Sequence, residues 1–241
     1  MANWSDPRVT ANQTGVSGAR GVATDAGLRG YMLSVYNYMT SAVLLTGIVA
    51  MLFANSPAFD QVMMTPLRWL VMLAPLGFVM ALSFGINRMQ TSTAQMLFWA
   101  FAVTNGLSLS VIFRVYTGAS IAETFFATAG AFAGLSLVGY TTKRDLSGMG
   151  SFLIMGLFGL IIASLINMFM QSSTMSLVIS FIGVLIFAGL TAYDTQKIKN
   201  IYFQVQGSDF IGKSAVMGAL TLYLDFINMF LFLLRFMGDR R

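Results

Sequence analysis

The 241-residue chain contains no cysteine and no histidine, and only 10% of its residues are charged. These absences exclude disulfides, thiol catalysis, zinc sites of the Cys/His type and haem ligation by Cys or His. Proton-linked behaviour near neutral pH would then have to come from carboxyl groups, because histidine is the side chain that ordinarily titrates there. We expect no resident cofactor, and any bound metal should be a hard, oxygen-liganded cation such as Ca²⁺.

The composition is that of a membrane protein. Hydrophobic residues make up 56% of the chain, whereas soluble domains carry roughly 25% charged residues. Basic residues outnumber acidic ones, 14 to 9, but they fall between the apolar runs. That placement is typical of loop anchors at a membrane surface, so we expect a lipid bilayer as partner and no nucleic acid.

The apolar residues form seven runs, each long enough to cross a bilayer as a helix of about 20 residues. Continuous runs favour helices over the alternating pattern of a barrel. The sequence therefore predicts an all-α polytopic fold of seven transmembrane helices within residues 31–241. The predicted spans are Tyr31–Ala54, Leu67–Ile86, Ala94–Tyr116, Ile121–Tyr140, Ser151–Met170, Met175–Tyr193 and Val216–Met237.

Residues 1–30 are rich in small and polar side chains, which predicts a flexible cytoplasmic N-terminal tail. With the N-terminus inside, nine basic residues lie on the cytoplasmic side and five on the other. This bias favours a cytoplasmic N-terminus and a periplasmic C-terminus. Three of the five lie in the C-terminal "RFMGDRR", and a re-entrant last segment would instead place both termini inside.

Two features of the spans predict helix packing. The "GAFAG" segment places Gly130 and Gly134 four residues apart on the fourth span, a spacing typical of close helix contacts. Thr104, Asn105 and Ser108 form a polar cluster on the third span, which favours an interhelical hydrogen bond over a ligand site.

Two of the nine acidic residues do not lie in tails, loops or at a span edge. Asp194 is at the cytoplasmic end of the sixth predicted span, and Asp225 is about 15 Å into the seventh. An intramembrane carboxylate costs at least about 2.5 kcal/mol and normally faces the interior of the bundle. Asp225 is therefore either a protonated, hydrogen-bonded core group or a functional residue.

The neighbours of Asp225 indicate an inward face. Small and polar residues recur three or four positions apart and share one side of the helix. This polar seam consists of Ser214, Gly218, Thr221, Asp225 and Asn228.

Asp194 has two candidate partners. One is Lys197, three residues on, in a surface ion pair of little energetic value. The other is Asp225, since two carboxyl groups in one low-dielectric site do not both ionise easily and would share a proton. Spacing does not decide between them, because the two depths differ and the intervening connector is long.

The segments "YDTQKIK" and "LYLDFIN", in this order on the last two spans, resemble the signature segments of the Bax inhibitor-1 family. The resemblance implies a last helix wrapped centrally by the other six. It also implies that Asp194 and Asp225 form a di-aspartyl pH sensor on a calcium pathway, with possible transient Ca²⁺ contact. Arg88, in "GINRMQ", resembles the arginine that pairs with those carboxylates.

The expected function is a pH-sensitive calcium leak channel of the bacterial inner membrane, restrained at low pH by the shared proton. A calcium/proton exchanger would use the same residues. A second class of function is a non-conducting regulator of a membrane-bound protease complex. We expect no enzyme, because Tyr193-Asp194 and "YLDF" do not complete the motifs of an intramembrane aspartyl protease.

Overall fold

A computed structural model describes residues 7–241, with side chains from residue 25 onward, and this part of the chain forms nine helices and no strand. The helices are α1 Pro7–Ala54, α2 Ala58–Met63, α3 Leu67–Gly85, α4 Thr91–Leu109, α5 Val111–Val115, α6 Gly118–Thr141, α7 Ser147–Met170, α8 Ser173–Val205 and α9 Ile211–Met237.

Seven helical segments are long and apolar enough to cross a membrane. They are the second part of α1 (Asp25–Ala54), α3, α4 continued by α5, α6, α7, α8 and α9. The predicted all-α fold with seven transmembrane helices is therefore confirmed, and the chain is a multi-pass membrane protein. The short α2 lies in the connector between the first two spans.

Helix α1 begins well before the first predicted span. Its backbone is helical from Pro7, so helical structure extends through most of the segment expected to be a flexible tail. Residues 1–6 lie outside the described part of the chain, and the flexibility and cytoplasmic location of the tail stay predictions. Apolar residues stop recurring at helical spacing before Tyr31 because the apolar face of α1 ends there. The helix itself continues, since a helix does not require an apolar face.

Helix α8 ends at Val205, twelve residues beyond the predicted limit at Tyr193. The prediction of a long sixth connector was wrong, because only residues 206–210 separate α8 from α9. The segment "TQKIKNIYFQV" is polar overall but amphipathic. Its buried apolar side chains, Ile198 and Tyr202, follow Asp194 at four-residue spacing, which is the spacing of one helix face.

Helix α9 is the most extensively buried of the spans. It packs against α1, α4, α6 and α8, while α3 packs on α4 and α7 packs on α8. Large side chains on several sides of α9, among them Leu222, Tyr223 and Met229, are almost fully buried. This arrangement is compatible with the predicted central position of the last span.

Close packing between α6 and α8 occurs at Gly139. A Cβ atom at this position would collide with the backbone of Ala192, two residues before Asp194. The prediction that "GAFAG" is a packing motif was wrong within this chain, because a Cβ at Gly130 or Gly134 would meet no described atom within 4 Å. A glycine pair allows close approach only where a neighbouring helix passes, and α8 passes at Gly139.

The C-terminal residues are fixed to the connector that precedes α6. The backbone N–H of Thr117 donates to the carbonyl of Asp239 at 3.1 Å, and that of Arg241 donates to Val115 at 2.9 Å. At the other end of α9, the ammonium of Lys213 donates to the carbonyl of Met89 at 3.1 Å. Helix α9 thus crosses the whole bundle and is not re-entrant, while the assignment of faces to cytoplasm and periplasm stays a prediction.

Candidate functional site

Asp194 and Asp225 face each other at the contact between α8 and α9. Their side chains lie within hydrogen-bonding reach of one another and are 8% and 5% exposed. Because α8 and α9 form a hairpin, the carboxyl groups lie about 17 and 21 Å from its turn, at 1.5 Å per residue. The structure therefore brings together two residues whose predicted depths differed, and the extension of α8 to Val205 is the reason.

The two carboxyl groups line a groove of about 750 Å³ between α7, α8 and α9. Thr221 and Asn228 lie on the same wall as Asp225, one helical turn to either side. The opposite wall consists mainly of apolar side chains of α7, such as Leu157 and Ile161, with Ser164 as its one polar residue. The groove is thus polar along α9 and apolar along α7.

The carboxyl pair lacks a cationic partner in direct contact. Within the described part of the chain, no ion pair joins either aspartate to a basic residue, and Oδ2 of Asp225 has no hydrogen-bond partner. Lys197 lines the same groove, but it is exposed and its ammonium lies 5.9 Å from the ring centroid of Tyr193. With no basic side chain in direct contact, a proton shared between the two carboxyl groups is what can satisfy them.

Arg88, the predicted latch partner, does not contact the pair. Its side chain is exposed in the connector between α3 and α4. That connector lies beside Lys213 at the beginning of α9, about 18 Å along the helix from Asp225. A latch role for Arg88 stays a prediction and would require a large movement.

The predicted polar seam of α9 divides into two parts. Ser214 is buried and its hydroxyl lies 2.7 Å from that of Tyr31 on α1. Gly218 packs against Ile198 of α8, where an added Cβ would approach within 3.2 Å. These two residues contact neighbouring helices, whereas the groove is lined by Thr221, Asp225 and Asn228.

A buried amide fixes the connector between α6 and α7 to the helix that carries Asp194. The side chain of Gln196 accepts from the N–H of Leu146 at 2.9 Å and donates to the carbonyl of Arg144 at 2.8 Å. One turn further along, the ammonium of Lys199 donates to the carbonyl of Tyr140 at 2.8 Å. Sequence reasoning missed Gln196, although its amide in the segment "YDTQKIK" was the available signal.

Asp145, in the same connector, has a simple electrostatic environment. Hydrogen bonds from the hydroxyl and then the backbone N–H of Ser147 lower the pKa of this carboxyl. A lowered pKa keeps Asp145 ionised throughout the range from pH 6 to 8. A pH response in that range therefore does not come from Asp145.

A second polar cluster lies on another side of α9. The hydroxyl of Tyr223 is 2.7 Å from that of Thr46 on α1 and accepts from the amide of Asn105 on α4 at 2.7 Å. The predicted interhelical hydrogen bond from the third span is therefore present at Asn105. Ser108 donates to the carbonyl of Val71, whereas Thr104 bonds only within its own helix.

Replacing Tyr223 with phenylalanine should destabilise the protein by about 1–3 kcal/mol, because it removes the acceptor of the partly buried Asn105 amide and the hydrogen bond to the buried Thr46 hydroxyl. Thermal unfolding in detergent, followed by circular dichroism, measures this effect. Tyr36→Phe on α1 is the matched control, since that ring is only half-buried. Equal unfolding temperatures for the two variants would show that the cluster does not hold α9 in place.

These observations define a seven-helix membrane protein with a buried carboxyl pair at the contact between its last two helices. The family model described as inhibitor of apoptosis-promoting Bax1 matches residues 28–241. The chain therefore belongs to the Bax inhibitor-1 family, which confirms the resemblance carried by the two signature segments.

Several bacterial relatives are similar over most of their length. An uncharacterised protein of Rickettsia prowazekii is 51% identical over 219 residues, covering 90% of this chain and 92% of the relative. The inner membrane protein YbhL of Escherichia coli K12 is 49% identical over 220 residues, covering 90% and 94%. An uncharacterised protein of Caulobacter vibrioides is 42% identical over 231 residues, covering 91% and 92%.

Proposed function

We propose that this protein is a pH-sensitive calcium leak channel of the bacterial inner membrane, gated by Asp194 and Asp225. The observation that carries the proposal is the contact between two buried carboxyl groups that line one groove without a cation bound directly to them. The similarity to an inner membrane protein supports the location.

The proposed gate uses the mutual repulsion of the two carboxylates. When one proton is shared, the carboxyl groups hold α8 and α9 together. Loss of that proton leaves two negative charges side by side in a low-dielectric environment, which favours separation of the helices or binding of a cation. Carboxylate oxygens are the ligands that Ca²⁺ prefers, so the ionised pair would also attract the transported ion.

Purified protein in liposomes that contain a calcium-sensitive dye should allow calcium entry, and the rate should rise from pH 6 to pH 8. A coupling of about 1.4 kcal/mol between proton loss and opening corresponds to about a tenfold change in rate. Asp194→Asn and Asp225→Asn should each flatten this pH dependence, because neither variant can form the doubly charged pair.

Asp209→Asn is the matched control for the flux measurement. Asp209 is exposed in the connector between α8 and α9, and its loss should leave the pH profile unchanged. An unaltered profile in both groove variants would contradict the gate. Calcium entry that is driven by an imposed proton gradient, with a fixed ratio of protons to calcium ions, would indicate a calcium/proton exchanger. No entry at any pH by folded protein would favour a non-conducting regulator of a membrane-bound protease complex.

A further inference from the structure

A second groove, of about 660 Å³, lies between α1 and α6. Its floor includes Phe226 of α9, which stacks edge-to-face with Phe132 of α6 at 5.5 Å between ring centroids. Along its sides, Leu33, Leu44 and Leu137 are exposed. In a membrane-spanning bundle, exposed aliphatic side chains along a groove face the acyl chains of the bilayer.

The dimensions of this groove fit one lipid chain. On α1 it extends from Arg29 to Leu44, which is about 22 Å at 1.5 Å per residue. A bilayer with its headgroup regions is about 40–45 Å thick, so one leaflet with its headgroups occupies about 20–22 Å. The groove therefore covers the depth of a single leaflet.

One end of the groove is basic and aromatic. Arg29 lines the groove one turn before Leu33, and Tyr36 and Tyr140 line it nearby. Lys199 of α8 lies over the ring of Tyr140, with its ammonium 5.1 Å from the ring centroid. No acidic residue is among those that line this groove, and Asp25 follows one turn further out on α1.

We propose that this groove is a binding site for an anionic phospholipid. One acyl chain lies between α1 and α6, and the phosphate of the headgroup lies at Arg29, with Lys199 contributing to the positive field. Tyrosine rings at the level of the headgroups are typical of a membrane interface, and basic pockets between transmembrane helices select anionic headgroups.

The lipid would contact the back of the carboxyl site. Phe226, in the floor of the groove, directly follows Asp225 in α9. Ser136 lines the groove from α6, and its hydroxyl accepts a hydrogen bond at 3.2 Å from Thr195, the residue after Asp194. An acyl chain in this position would support both helices that carry the aspartates from the side opposite the first groove.

Native mass spectrometry of the full chain in mild detergent, with equal amounts of phosphatidylglycerol and phosphatidylethanolamine, tests the proposal. Wild-type protein should retain phosphatidylglycerol preferentially. Arg29→Gln should lower its retention by about fivefold, the effect of one basic residue near an anionic headgroup. It should lower the retention of phosphatidylethanolamine less, because the ammonium group of that lipid offsets its phosphate charge. Ala133→Phe, which fills the groove from α6, should lower the retention of both lipids.

Two matched variants control for general effects. Arg68→Gln removes an exposed arginine outside the groove, and Ala127→Phe adds a ring to the exposed surface of α6 outside the groove. Equal retention of the two lipids by wild type, or equal retention by either groove variant and its control, would overturn the proposal. The measurement involves no calcium flux, so its result is independent of the channel activity.

Discussion

Replacement of Gly139 with alanine is expected to destabilise the protein by about 1–3 kcal/mol, the usual cost of forcing an extra methyl group into a packed interior. The new Cβ would collide with the backbone of Ala192, and backbone gives way less readily than the end of a flexible side chain. Helices α6 and α8 would have to separate, and Asp194 would shift with α8. Thermal unfolding in detergent measures the loss.

The same substitution elsewhere on α6 provides the control. Gly134→Ala adds a methyl group that meets no described atom within 4 Å. Alanine is intrinsically better than glycine in a helix by about 1 kcal/mol, so this variant should be as stable as wild type or slightly more so. Gly139→Ala should therefore lower stability whereas Gly134→Ala should not, and a loss of equal size at both positions would contradict the packing described for Gly139.

Replacement of Asp225 with asparagine is expected to stabilise the protein, by about 1–3 kcal/mol at pH 8. The asparagine side chain has nearly the same shape, carries no charge, and its amide can donate a hydrogen bond to the carboxylate of Asp194. Repulsion between two carboxylates is removed, so the gain should be larger at pH 8 than at pH 6. Unfolding temperatures of wild type and variant at both pH values measure this difference.

Asp209→Asn again serves as the control, because Asp209 is exposed and far from the groove. It should leave the unfolding temperature unchanged at both pH values. A destabilising effect of Asp225→Asn, or a gain that is the same at pH 6 and pH 8, would show that repulsion between the carboxyl groups does not limit stability. This test concerns the geometry of the pair alone and does not depend on calcium transport.

The fold could be predicted from the sequence because a bilayer imposes strong constraints on composition and length. Seven continuous apolar runs allow few alternatives, and the polar seam of α9 indicated an inward face. The length of α8 could not be predicted in the same way. Its last turns lie beyond the apolar run, and the information that they are helical lies in the spacing of Asp194, Ile198 and Tyr202.

The prediction of a pair between Asp194 and Asp225 depended on residues 194–205, the part of α8 that lies beyond its predicted end. A polar segment suggested a long connector and unequal depths, whereas the amphipathic continuation of α8 makes the depths comparable. The "GAFAG" segment failed for a different reason, because a local motif does not show which helix passes beside it. Gly139 makes the close contact, and a single glycine gives no sequence signal that distinguishes it from its neighbours.

The packing of α9 against four other spans has a consequence for how the protein is made. A ribosome synthesises this chain from its N-terminus, so α9 is the last span to enter the membrane. The earlier spans cannot reach their final packing before it arrives, since α1, α4, α6 and α8 all complete their buried surfaces against it. The five-residue turn at residues 206–210 delivers α9 as half of a hairpin, with the two carboxyl groups already opposite each other. Assembly of the site and completion of the bundle are thus one event.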